Sequence, residues 1–197
     1  MSDPGRGAGD GAHETAQAAR TDRVGDAPRE AEIVLRDMEL EDIAPTFHLG
    51  EQLFTADRWP TLYRTWDEYE LVNLFATDGG TCLVADRDGD IVGFALGTML
   101  EKRRGPWSYG YLLWLGVDPG LGRRGLGRRL VRELNRRFIA SGARMVLVDT
   151  ETDNERALGL FRSMGFGQER PHVYLSLNLT GDPEYIRHRR GQSGEGE

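Results

Sequence analysis

Apolar residues recur with two periods along this chain, and the switches between them mark out its elements. Leu126, Leu130, Leu134 and Phe138 fall at every fourth position, which places one apolar stripe along a helix over about residues 125–140 that stops at Ser141-Gly142. Just before it, Ser108 to Val117 is apolar on both faces, the pattern of a strand inside a covered sheet. Ile33 and Leu35 alternate with Val34 and Arg36 and predict a short first strand. Thr81 to Ala85 and Ile91 to Leu100 predict two more, joined through Asp86-Arg87-Asp88-Gly89-Asp90, whose Asp-Gly step is a hairpin signal. Met145 to Thr150 reads as another strand. Val173, Leu175, Leu177 and Leu179 alternate with Tyr174, Ser176 and Asn178, so His172 to Leu179 reads with one buried face. With Phe166 to Arg170 it predicts one or two strands near Pro171.

Helix signals fill the gaps. Glu39 to Asp42 open a helix with Ile43, Phe47, Gly50 and Phe54 on related turns, and Pro60 breaks the chain. Thr65-Trp66-Asp67-Glu68 reads as a capping box for a helix with Trp66, Tyr69, Val72 and Phe75 on one face, ending at Gly79-Gly80. Thr152-Asp153-Asn154-Glu155 reads as a second box, followed by a short helix with Ala157, Leu158, Phe161 and Met164 inward and Gly165 at the C-terminal glycine position. The link from Phe54 to Tyr63, with Asp57 and Trp59, is aromatic and acidic, a substrate wall on one reading and core packing on the other. The order is strand, two helices, three strands, helix, strand, helix, one or two strands. That is an α/β (α+β) fold of six to seven strands and about four helices, without an internal repeat.

Composition bounds the rest. The chain has 197 residues, 39% apolar and 9% aromatic, enough for one domain. Residues 1–30 lack an apolar period and read as a disordered leader, 31–180 as the domain, and 181–197 as a flexible tail. No uncharged apolar run spans a membrane and no secretory leader is visible, so the expectation is a cytoplasmic protein that binds no membrane. The Asn178-Leu179-Thr180 sequon then reads as chance. The net charge of −7 argues against nucleic acid as a partner and suits cationic substrates as well as plain solubility. Cys82 is the only cysteine, which excludes an internal disulfide and a cysteine metal cluster; no metal is expected.

Candidate chemistry centres on Leu112 to Phe138. A strand runs into Asp118-Pro119-Gly120-Leu121-Gly122, then Arg123, Arg124, Gly125, Leu126 and Gly127, then the helix. Such a turn delivers backbone N–H groups at the positive end of a helix, with glycines that let a ligand approach, which makes a phosphate cradle. Gly120, Gly122 and Gly125 match the G-x-G-x-x-G dinucleotide fingerprint, with Asp149 near the place of the ribose-binding acid. Against that match, Asp118-Pro119 separates the strand from the first glycine.

The other match is to the Gcn5-related N-acetyltransferase (GNAT) family, which three pieces in order resemble. Leu115-Gly116-Val117-Asp118-Pro119 resembles the strand and turn ahead of the family's cofactor loop, and Gly122-Arg123-Arg124-Gly125-Leu126-Gly127 resembles the loop. Asp153-Asn154-Glu155-Arg156-Ala157 through Phe161 to Met164-Gly165-Phe166 is similar to the motif D-N-x-x-A-x-x-x-Y-x-x-x-G-F. The resemblance spans about Ile33 to Leu179. It implies a mixed, mostly antiparallel sheet splayed at its centre, and acetyl transfer from acetyl-CoA to a primary amine of a peptide N-terminus, a lysine or a small molecule by direct attack. Acetyl-CoA would lie between strands splayed at Val117 and Val148. Leu115, Gly116 and Val117 would meet the pantetheine arm. The loop from Gly122 and Arg123 through Arg124, Gly125, Leu126 and Gly127 would hold the pyrophosphate, with Arg128 near the 3′-phosphate. Asn154 would contact the arm directly or indirectly, and Phe161 would pack beside the thioester.

Three departures bear on mechanism. Gly122 stands where the family prefers Gln or Arg, Phe161 stands where many members carry a tyrosine acid, and Ser108 to Val117 has no carboxylate where many carry a glutamate base. Base candidates are therefore Asp149 and Glu151, read as sharing one face of a strand, then Glu101, with Tyr174 after them; Tyr109 and Tyr111 are further acids or substrate contacts, and His48 is a lone histidine. A non-catalytic acyl-CoA sensor and a nicotinamide-dinucleotide binder are the alternatives. A monomer and a homodimer are both compatible with the sequence.

Overall fold

The computed structural model describes residues 32–55, 65–101, 107–121, 124–171, 173, 175 and 177–193. Among them run β1 (Ile33–Asp37), α1 (Ile43–Leu53), α2 (Glu68–Asp78), β2 (Cys82–Arg87), β3 (Asp90–Glu101), β4 (Ser108–Val117), α3 (Leu126–Ala140), β5 (Ala143–Val148), α4 (Glu155–Ser163) and α5 (Pro183–Ser193). Single 3-10 turns occupy Leu40–Asp42, Gly79–Thr81 and Pro119–Leu121. The strands lie in chain order. β1 to β4 are antiparallel, and β5 joins β4 in parallel, with α3 as the crossover that a parallel pair needs.

Local chemistry sets the joints. Asp88 and Gly89 both take positive φ, 55° and 94°, between the paired residues Arg87 and Asp90, which is a two-residue type I′ hairpin. β4 carries one residue more than β3: Leu96 pairs with Trp114 but Gly97 with Leu112. The extra residue, Leu113, is a β-bulge. Leu112 consequently faces the cluster under α3, while Trp114, two residues on, faces the cluster under α1 and α2.

The predicted stripe of α3 is buried: Leu126, Leu130, Leu134 and Phe138 with Val131. The Phe138 ring lies where two glycines leave room. A Cβ at Gly110 would come 2.3 Å from its Cγ, and one at Gly97 would come 2.5 Å from its Cζ. Polar contacts lock β1 to its neighbours. Arg36 bonds Asp42 Oδ2 at 2.5 Å and Asp86 Oδ2 at 2.9 Å, Arg129 donates to the Ile33 carbonyl at 2.8 Å, and Arg137 pairs with Asp37 at 2.6 Å. The arginines of α3 are therefore partly structural.

On the other side of the sheet, Phe47, Phe54, Trp66, Phe94 and Trp114 form one aromatic cluster. Trp66 donates to the Phe47 carbonyl at 3.0 Å and sits against Gly50, where a Cβ would come within 2.1 Å of its ring. Phe54 is thus core packing. Asp57, Trp59 and Tyr63 lie outside the described residues, as do the leader 1–30, Gly122, Arg123 and Tyr174.

Several expectations are corrected. The described residues form five strands, not six to seven, because Phe166 to Arg170 and the described part of 171–179 join no ladder. Val173, Leu175 and Leu177 are at least 75% exposed, so their alternation marks no buried face. Alternation supplies a candidate face; a strand also needs a neighbour for its backbone. The described residues hold five helices rather than about four, since α5 occupies part of the stretch read as a tail. α2 starts at Glu68 behind the N-cap Asp67, whose side chain accepts from the Glu70 amide, and it buries Leu71 and Leu74 while Tyr69 and Val72 are exposed. β5 ends at Val148, so Asp149 and Glu151 lie beyond the strand and share no strand face.

Candidate functional site

The strand register creates a cleft. β4 and β5 pair from Ser108 and Ala143 to Leu112 and Val148, and there the parallel ladder ends. β4 continues through Leu113 to Val117 beside β3, so the β5 side of this stretch faces no strand among the described residues. β5 itself ends at Val148, so the cleft opens past the Leu112–Val148 pair, where the edge of β4 is left uncovered by a described strand.

Three elements converge at its mouth. Asp118 fixes the turn that leaves β4: its N–H donates to the Val92 carbonyl at 3.0 Å and its Oδ1 accepts from the Gly120 amide at 2.8 Å. Leu121 drops into the core beneath α3. Gly125, the N-cap of α3, has φ 74° and ψ 10°, a left-handed conformation in which glycine carries no steric penalty, and the space beside it is open. The first bond of the helix runs from the Arg129 amide to the Gly125 carbonyl, and no side chain caps the turn. The amides of Leu126, Gly127 and Arg128 therefore precede the helical ladder, at the positive end of the helix dipole. A Cβ at Gly127 would stand 3.8 Å from Val117 and 3.6 Å from Leu160, so α3, the end of β4 and α4 meet here.

α4 is held at both ends. Asn154 is its N-cap: Oδ1 accepts from the Ala157 amide at 3.1 Å and Nδ2 donates to Thr150 Oγ1 at 2.9 Å. The predicted Thr152–Glu155 box is thus displaced by two residues. At the other end the Phe166 amide bonds the Phe161 carbonyl and the Gly165 amide bonds the Arg162 carbonyl, with Gly165 at φ 92°. This is a Schellman motif, and the rings of Phe161 and Phe166 meet at 5.3 Å as its apolar contact. Phe161 is buried in the α3-side core with Leu121 and Leu126, beside Val117 and Val148. Arg128 turns from the helix N-terminus to α4, where it donates to the Ser163 carbonyl at 3.2 Å and to Ser163 Oγ at 2.7 Å.

The expected site residues thus separate. Leu126 and Phe161 are buried in the core under α3 with Leu115 and Val117 packed against it, Gly125 stands at the open N-terminus of α3, Gly127 lies near Val117 and Leu160, Asn154 caps α4, Gly116 lies against Phe94, and Arg124 is exposed. Asp149 is the first residue past β5 and its Oδ1 accepts from the Tyr111 hydroxyl at 2.5 Å. Glu151 is half-buried, with its carbonyl bonded to the Asn154 amide. Glu101 pairs with Ser108 at the far end of β4, about 30 Å along the strand from Val117. Sequence reasoning named Tyr111 without its partner, and missed Thr150 and Ser163 as braces; contacts across separate elements leave no local signal. Cys82 is fully buried beneath α1 and α2, where burial, with Asp78 nearby, pushes its thiol up to about 12, so it supplies no thiolate at neutral pH. No group of three metal-ligating side chains occurs among the described residues, and no described helix is long and apolar enough to cross a membrane.

A largely antiparallel sheet with one parallel pair is not the doubly wound parallel sheet of a dinucleotide fold, which sets aside the fingerprint reading of Gly120, Gly122 and Gly125 and the ribose role for Asp149. It is a sheet of the acetyltransferase class. The GNAT acetyltransferase family matches residues 52–166, more than half of the chain, and the chain belongs to that family. N-alpha-acetyltransferase RimI of Mycobacterium tuberculosis is 44% identical over 78 residues, covering 40% of this chain and 46% of the relative. An uncharacterized protein of Mycobacterium leprae is 34% identical over 164 residues, covering 81% of this chain and 41% of the relative. The chain thus spans less than half the length of these relatives. Among solved structures, the aminoglycoside N-acetyltransferase AAC(6')-Iy in complex with CoA superposes with a TM-score of 0.62 at 19% identity, covering 77% of this chain and 99% of the other.

Proposed function

We propose that this chain transfers an acetyl group from acetyl-CoA to an amine, with Asp149 as the base. The observation that carries the reading is the open edge of β4 past the Leu112–Val148 pair, with the N-terminus of α3 at its mouth and the Asp149 carboxylate beside that pair. The residues present fit the donor. The amides of Leu126 to Arg128 and the open space at Gly125 suit a pyrophosphate, and the strand-free side of Leu113 to Val117 suits an extended amide-bearing arm. When bound, acetyl-CoA supplies an activated acyl thioester.

The chain's own residues would do the rest. The backbone N–H groups at the cradle hold the donor's phosphates. A strand amide on the open side of β4 polarises the acyl carbonyl. Asp149 takes the proton of the acceptor's ammonium and frees its lone pair. The sheet face around Tyr111 would orient the acceptor. Thr98 pairs with Tyr111 and Leu100 with Tyr109 on β3, and Leu147 and Met145 pair with the same tyrosines on β5, so these side chains share that face. Leu100, Met145 and Leu147 are 38–42% exposed there. An apolar floor ending at a carboxylate suits an amine on a peptide or another partly apolar chain better than a polyhydroxylated one, and the RimI relative's name denotes acetylation at an α-amine.

The test is CoA release on addition of peptide and small-molecule amines, with Asp149→Asn beside the wild type. Amine-dependent release that falls about 100-fold in the variant, with the alkaline-rising limb of its pH profile flattened, is expected. Acetyl-CoA binding without release for any amine would favour the sensor reading. An unchanged profile in Asp149→Asn would remove it as the base and leave Glu151.

A further inference from the structure

We propose that Tyr111 and Asp149 act as one proton-transfer unit, in which the Tyr111 hydroxyl protonates the departing thiolate while Asp149 receives the acceptor's proton. The inference rests on the acetyl-transfer reading above. The Tyr111 hydroxyl donates to Asp149 Oδ1 at 2.5 Å, between residues 38 apart in sequence. Tyr111 pairs with Leu147, the next residue Leu112 makes the last pair with Val148, and Asp149 follows at once. The bond therefore ties β4 to the residue just past the end of β5, where the open edge of β4 begins and where, on the reading above, donor and acceptor meet.

A purely structural purpose explains this contact poorly. The two strands are already joined by their ladder up to that point, and an exposed hydrogen bond adds little to it. A carboxylate acceptor makes the bond short and gives it a ready path for a proton. Among the described residues, the neighbouring groups do not offer the same path. The Phe161 ring lines the core of the cleft and has no proton to give, Cys82 lies in the other core, and Tyr109 stands two residues further from the mouth.

The protons balance. An acceptor ammonium carries two protons that the amide product cannot keep. Asp149 takes the first and passes it to water, and the freed nitrogen lone pair forms the N–C bond. Asp149 takes the second as the C–S bond breaks and its electron pair leaves with sulfur. Tyr111 gives its proton to that sulfur and recovers one from Asp149 along their hydrogen bond. Both side chains end as they began, the thiol and the amide are neutral, and one proton has gone to water.

The experiment compares wild type, Tyr111→Phe, Asp149→Asn and the double variant by acetyl-CoA calorimetry, thermal unfolding and steady-state kinetics with an amine that the wild type accepts. Each single variant should bind acetyl-CoA within about twofold of the wild type and unfold at a similar temperature. Each should lose about 100-fold in kcat with a much smaller change in amine KM, and the double variant should be no slower than the slower single one. Wild-type kcat in Tyr111→Phe, multiplicative losses in the double variant, or a loss that follows acetyl-CoA affinity or thermal stability would overturn the unit. A wild type that fails to bind acetyl-CoA overturns the underlying reading instead, and is seen before any variant is made.

Discussion

At the scale of single residues, Gly125 is the position on which the phosphate cradle depends most. Its φ of 74° and the open space beside it are what a phosphate needs and what a β-branched side chain would destroy twice over, by strain and by bulk. Gly125→Val should lose at least about 100-fold in acetyl-CoA affinity by calorimetry while its circular dichroism stays that of the wild type; retained affinity would misplace the cradle. Cys82 is the opposite case. Fully buried and with its thiol pushed up to about 12, it should resist alkylation by a small thiol reagent until denaturant unfolds the chain, and labelling in native buffer would contradict the packing. Some of this was legible in the chain. Gly125 stands between a strand and an apolar-periodic helix, and Gly165 closes a helix whose C-terminal motif brings Phe161 and Phe166 together. The Tyr111–Asp149 bond was not legible. Its partners are 38 residues apart, and only the β4–β5 register brings them to one face.

At the scale of elements, α3 is the best-specified part of the fold, because one stripe of large apolar residues at helical spacing has only one way to be buried. Its seat on the sheet is a Phe138 ring over Gly97 and Gly110. Gly110→Ala would bring a methyl within 2.3 Å of that ring. The variant should lose about 1–3 kcal/mol in a denaturant titration, and a neutral result would mean that α3 shifts freely over the sheet. α2 shows how periodicity misleads. Trp66, Tyr69, Val72 and Phe75 recur at three-residue spacing, yet Leu71 and Leu74 face the core, because apolar residues lie on several sides of this helix and only packing chooses among them. β5 was misjudged at its end for a related reason. Thr150 favours a strand, but its hydroxyl accepts from the Asn154 side chain, and that pulls the chain into the cap of α4. The open edge of β4 past Leu112, which makes the cleft, follows from that early exit.

At the scale of the molecule, long-range charge contacts hold the sheet edge, and they carry a pH signature. Arg36 bonds both Asp42 and Asp86. Its guanidinium, chiefly, holds Asp42 below the usual carboxylate range, while the Gly89 amide and then Arg36 do so for Asp86. Carboxylates depressed in the folded state favour folding when ionised, so their contribution is complete above about pH 4 and is lost as the pH falls through their folded values. Arg36→Ala should therefore cost about 1–3 kcal/mol at neutral pH, at the lower end because Arg36 is 30% exposed, and the gap to the wild type should narrow below about pH 4. A gap independent of pH would show that packing, not charge, accounts for it. The order of strands and helices from β1 to α4 was readable from the sequence, whereas the strands expected after α4 join no ladder and α5 was not foreseen. The acceptor was not legible, because the surfaces that select it lie across strands whose sequences carry no motif. The most direct test of the central claim is calorimetric titration of the full chain with acetyl-CoA, with NADH as the control. Saturable binding of acetyl-CoA and none of NADH is expected, whereas binding of NADH alone would mean that the glycines ahead of α3 serve a dinucleotide and that the cleft beside β4 does not hold an acyl donor.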